Sequence, residues 1–226
     1  SAKLMKSYNT IYYLLFVLLI MGAFASMAQN SYGVSLLGAV AVSFGLLFLY
    51  QFYKSLQHPD RKGFLLQAEL LALFVLSILF ALRTFHIYLP FSELLLAIAG
   101  LVLIFVYAKK MLQRYAVLKT KNMKLARLSL LYHLSLILFI LSLVLAPFLP
   151  QFYGYLGITA FVLLLGFLLV GLSVPNYSLD GSDVSGLKLV AGLRDRSMIL
   201  LSLFFIFSLY MGLNRIGVLP AMYSDE

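Results

Sequence analysis

Two side chains able to exchange a proton stand inside long apolar runs: Glu69 and His133. Placing an ionisable group in hydrocarbon costs at least about 2.5–3.5 kcal/mol on insertion scales, so each is a candidate functional residue. Histidine titrates near neutral pH, and a carboxylate beside it would complete an intramembrane polar pair handling protons or cations. At 1.5 Å per residue, Glu69 lies roughly 9 Å and His133 roughly 8 Å into the two runs, measured from the same side. Gln67, Ser129 and Tyr132 are the polar neighbours such a pair would use. The structural alternative is two interfacial residues reaching headgroup water, or a hydrogen bond between helices. Glu93 is placed to pair with Arg83 or His86 across a turn, as a solvated cluster. No acidic or basic residue falls at the centre of an apolar run, which argues against a voltage sensor or a pump built on midplane carboxylates.

Other chemistry is scarce. The chain has no cysteine, which removes disulfides, zinc thiolate sites, iron–sulfur ligation and a thiol nucleophile. Its three histidines, His58, His86 and His133, are too far apart for metal-ligand spacing, and no H-E-x-x-H or G-x-S-x-G run occurs. Gly186 and Gly192 lack the spacing of a phosphate-binding loop. Asp180-Gly181-Ser182-Asp183 is only a fragment of a calcium-loop pattern. No cofactor is expected, and an intramembrane enzyme is the least favoured class.

The elements that must position these residues follow from composition. The 226 residues are 63% hydrophobic and 11% charged, with a mean hydropathy of +1.00, whereas a soluble domain carries about 25% charge. A spanning helix needs about 20 apolar residues. Seven runs qualify, at about 8–28, 32–53, 63–82, 88–108, 128–149, 152–174 and 197–213. The expected fold is all-α: a polytopic integral membrane protein of seven transmembrane helices in serial hairpins, forming one bundle. Ser1-Ala2 looks like a processed start and is left out of fold reasoning. The first run is too long for a signal-peptide core, so it counts as a span.

One segment orients the whole chain. Residues 109–127 carry Lys109, Lys110, Arg114, Lys119, Lys121, Lys124 and Arg127 and no acid. Short basic loops stay on the cytoplasmic side. With the N-terminus inside and the C-terminus outside, only Arg83 and Arg215 of the 17 Lys and Arg fall on the outer side. The loop 175–196 is then cytoplasmic too. Met111, Leu112, Tyr115 and Leu118 recur at helical spacing, so the fourth span is expected to continue out of the bilayer as an amphipathic helix. A net charge of +9 confined to such loops points to topology and anionic lipid headgroups, not nucleic acid.

Ser35, Ala39 and Ser43 form a small-residue row at i, i+4, i+8, a candidate helix-packing face because packing drives helix association in lipid. Gly154 and Gly157 suggest a second close-packing face. The last span ends near Pro220 with no returning helix after it. Two continuations are open: a longer natural chain, or a seven-span protein with a short external tail.

Two functions remain. The first is a non-catalytic membrane subunit of a larger complex, docking other membrane-protein subunits through its helices and basic segment. The second is a small transporter or channel with a cation- or proton-handling site near Glu69 and His133. Almost uniformly apolar spans favour the first. Compact loops and absent cysteine point to a bacterial inner membrane.

Overall fold

The computed structural model describes residues 2–27, 31–57, 63–149 and 151–173. Within them lie six helices: α1 (Ala2–Met27), α2 (Ser31–Gln57), α3 (Phe64–Thr84), α4 (Ser92–Lys119), α5 (Met123–Leu145) and α6 (Tyr153–Ser173). Five of these, α2 to α6, are long and apolar enough to cross a membrane. The apolar part of α1, Thr10–Ser26, is shorter. The chain is thus all-helical among the described residues, with five potential membrane spans. The expected seventh span, the loop 175–196 and the C-terminal tail lie outside the described residues.

Helix ends follow local chemistry more closely than hydropathy does. The sequence places the fourth span from 88, yet α4 starts at Ser92 because Pro90 heads a turn. The Ser92 amide donates to the Leu89 carbonyl at 3.3 Å, and Phe91 adopts a φ of 66°. Proline at i+1 with a positive φ at i+2 is the pattern of a type II turn, where glycine is the usual second residue. Helix α3 ends in a related way. His86 has a φ of 58°, its amide donates to the Arg83 carbonyl, and the Ile87 amide donates to that of Leu82. These two bonds make a Schellman cap with histidine in the left-handed position glycine normally takes. Each left-handed non-glycine residue costs on the order of 1–3 kcal/mol. Helix α5 starts at Met123, ahead of the expected 128, because Asn122 caps it, its side chain accepting from the Lys124 amide at 3.0 Å. At its other end Pro147 can donate no helical hydrogen bond, and α5 stops at Leu145.

The chain divides into two compact units. The first contains α1, α2, α3 and the first turn of α4, up to Leu95. Here α1 meets α2 through an aromatic ladder in which Phe16 lies 5.3 Å and Tyr12 6.2 Å from the Phe44 ring. The Tyr12 hydroxyl donates to Gln51 Oε1 at 3.2 Å. Glycines set how closely the backbones approach. A Cβ on Gly33 would strike the backbone of Ala25 and Ser26, one on Gly38 the Phe85 ring, and one on Gly45 the Ile78 side chain.

The second unit runs from Leu96 through the rest of α4, α5 and α6. Its core gathers Leu118, Leu125, Leu128, Tyr132, Leu164 and Phe167. Leu118 is the inward member of the amphipathic extension, so the expected continuation of the fourth span as a helix is present up to Lys119. At the far end Gly100 lies directly under Val144. Ser135 donates to the Ala160 carbonyl at 2.9 Å and Ser142 to that of Tyr153 at 3.0 Å, tying α5 to α6. Gly157 sits against the Ser142 hydroxyl, whereas a Cβ on Gly154 would meet nothing. Of the glycine pair expected to form a packing face, only Gly157 does so in this unit.

Candidate functional site

The most organised polar cluster in the described residues centres on His133, which is 1% exposed. It stands on α5 one helical turn after Ser129, itself fully buried. Its Nδ1 lies 2.6 Å from the Ser129 carbonyl. A carbonyl only accepts, so Nδ1 carries the proton and donates it. Nε2 is thereby left as the acceptor, and Arg114 Nη1 donates to it at 3.0 Å. The two contacts fix one tautomer of a neutral ring. The Ser129 hydroxyl is a further 3.5 Å from Nδ1. Tyr132 packs edge-on at 5.4 Å and leans its other side on Phe167 at 5.5 Å. Arg114 reaches this cluster from α4, half-buried.

The structure therefore joins residues from two separate sequence expectations: His133 from the polar pair and Arg114 from the basic segment. The signal that links them is the hairpin register. Asn122 caps α5, so the α4–α5 turn is centred near residue 121, and Arg114 stands level with Leu128. His133 lies five residues further along, roughly 7.5 Å at 1.5 Å per residue, a gap an extended arginine side chain covers. Ser129 and Tyr132, expected as neighbours, do border the ring.

The other candidate residues fall as follows. Glu69 is half-buried on α3 in the first unit, while His133 belongs to the second. Glu93 is exposed in the first turn of α4, where the positive end of the helix dipole favours an acid. Lys109, Lys119, Lys121, Lys124 and Arg127 are exposed, and Lys110 is half-buried. Lys109 and Lys110 lie over the rings of Phe105 and Tyr107, at 5.6 and 5.9 Å. Ser35, Ala39 and Ser43 lie on the exposed side of α2. The packed side carries Gly38, Val40, Ala41 and Gly45. The Ser43 hydroxyl donates to the Ala39 carbonyl at 2.8 Å.

Sequence reasoning missed Ser135 and Ser142. They are seven residues apart and so share one helix face, which is the available sign that both would reach the same neighbour. Among the described residues no three His, Cys, Asp or Glu come together as a metal site. The chain matches no family model, no curated protein and no solved structure.

Proposed function

We propose that this chain is a seven-span, non-catalytic subunit of a larger membrane-protein complex in a bacterial inner membrane. Its N-terminus and basic segment 109–127 face the cytoplasm and its C-terminus faces outward. Lys109, Lys110, Lys119, Lys121, Lys124 and Arg127 meet anionic headgroups or a partner's acidic surface, and Arg114 anchors that segment to α5. The Ser35, Ala39 and Ser43 row offers α2 to a neighbouring helix.

One observation carries the preference for a subunit over a transporter: what the buried polar side chains do within each unit. The five buried polar residues described are Ser55, Ser129, His133, Ser135 and Ser142. Ser55 donates to its own helix at the Phe52 carbonyl, 2.7 Å away. Ser135 and Ser142 tie α5 to α6, and Ser129 and His133 hold Arg114. Four of the five join α5 to a neighbouring helix, Ser129 through the His133 ring, and Ser55 is satisfied within its own, as expected of helices packed among other helices; Ser26 Oγ alone is buried without a partner among the described residues. A conducting path needs polar groups free to exchange partners with its cargo.

The transporter alternative keeps Glu69 and His133 as its site, favoured by the burial of His133 inside a potential span. A proton-carrying pair there would have to exchange one of the two bonds that now hold the ring. Purification from native membranes in a mild detergent separates the readings. Stoichiometric co-purifying chains are the expected result. A protein that runs alone, and moves protons or cations when reconstituted by itself into vesicles, would overturn the subunit assignment.

A further inference from the structure

The connection between α3 and α4 has an unusual composition. Ile87, Tyr88, Leu89, Pro90 and Phe91 follow one another without a charge, and all five are exposed. Tyr88 and Phe91 are 75% and 76% exposed. The shorter connection between α4 and α5, Thr120-Lys121-Asn122, is wholly polar, as a turn in water should be. The apolar one is also tightly shaped. Two left-handed residues bracket it, and the bonds of the α3 cap and the Pro90 turn hold its ends. Phe85 fastens it from beneath by resting on Gly38 of α2. A connection held this firmly presents its exposed rings in one orientation.

We propose that residues 87–91 are an interfacial lipid anchor, with Tyr88 and Phe91 set into the headgroup–acyl boundary of the leaflet at this end of α3. The inference rests on the membrane-spanning reading above. Three features select lipid as the occupant. Exposed apolar side chains recur on both flanks, at Phe80 on α3 and at Leu94 and Leu95 at the start of α4, interleaved with the exposed Arg83, His86 and Glu93, a mixture that suits the level where headgroups meet acyl chains. The chain has no tryptophan, and tyrosine and phenylalanine take the interfacial level in its place. Among the described residues the amides of Tyr88, Leu89 and Phe91 donate to no backbone carbonyl. Such amides are intolerable in hydrocarbon and harmless where water reaches them. Apolar rings on a backbone that needs water fit the headgroup level and no deeper.

The absence of native tryptophan makes the test direct. Tyr88→Trp and Phe91→Trp each supply a single fluorophore, and Leu101→Trp, on the exposed side of α4, supplies a control within a potential span. Each variant is reconstituted in phosphatidylcholine vesicles with brominated acyl chains labelled at a shallow or a deep position. Expected is blue-shifted emission from both loop variants, resistance to iodide, and stronger quenching by the shallow label than by the deep one. Leu101→Trp should respond to lipid labels and not to iodide. Iodide quenching and red-shifted emission at both loop positions, with a lipid-quenched Leu101→Trp, would overturn the anchor while leaving the spanning reading intact. Loop tryptophans shielded from iodide and from both lipid labels would also overturn it, since protein would then cover the loop. A Leu101→Trp that responds only to iodide would instead remove the spanning reading itself. Two loop positions keep the test decisive should one variant fail to fold.

Discussion

With Nδ1–H directed to the Ser129 carbonyl and Nε2 accepting from Arg114, a second proton on the His133 ring would confront a guanidinium that has only N–H groups to offer. A second proton at Nε2 therefore requires Arg114 to withdraw first. Arg114→Ala removes the donor that meets buried Nε2, a loss of about 1–3 kcal/mol. His133→Ala is expected to cost a similar amount, and the double variant little more than either, giving a coupling of about 1–3 kcal/mol in thermal or denaturant unfolding in detergent. Glu69→Gln combined with His133→Ala is expected to be additive in the same assay. Strong coupling of Glu69 with His133, and none between Arg114 and His133, would favour the proton-handling pair. Residue type was enough to pick His133 out of the sequence, because an ionisable group among apolar neighbours is costly. Its partner was hidden because Arg114 stands among six other cations, and only the hairpin register singles it out.

At the scale of helices, the closest approaches differ in what yields when a methyl group is added. Gly100→Ala meets a side chain, Val144, whereas Gly33→Ala meets the backbone of Ala25 and Ser26. Both are expected to destabilise by about 1–3 kcal/mol, the usual cost of overpacking. Val144→Ala should recover most of the loss at Gly100, and no side-chain truncation on α1 should recover the loss at Gly33. Equal rescue at both sites, measured by unfolding in detergent, would show that neither contact limits packing. Five of the expected spans were legible because hydropathy and proline are strong signals, and the Pro90 turn and the helical continuation of α4 follow from them. Which face of α2 packs was not legible. Small residues occur on more than one side of that helix, Ser35, Ala39 and Ser43 on one and Gly38, Ala41 and Gly45 on another, and glycine in particular marks the side where backbones touch.

For the molecule as a whole, the proposed threading makes a plain demand on reagents that cannot cross a membrane. The absence of native cysteine makes single-cysteine variants clean probes. Gln151→Cys is expected to react from outside in intact cells, and Gln57→Cys and Thr120→Cys only after lysis. Outside reaction at Thr120 would reverse the orientation and remove the basis for a cytoplasmic basic segment. The same threading gives α4 a mechanical character. Its 28 residues run unbroken from Ser92 to Lys119, about 42 Å at 1.5 Å per residue, against a hydrocarbon core about 30 Å thick. Set along the bilayer normal, about 12 Å of it stands clear of the hydrocarbon, and tilting shortens that length. Its basic end carries Lys109, Lys110 and Lys119 and is pinned to α5 at Arg114. On the proposed threading, a load on that end would bear on the part of the same helix that lies in the bilayer.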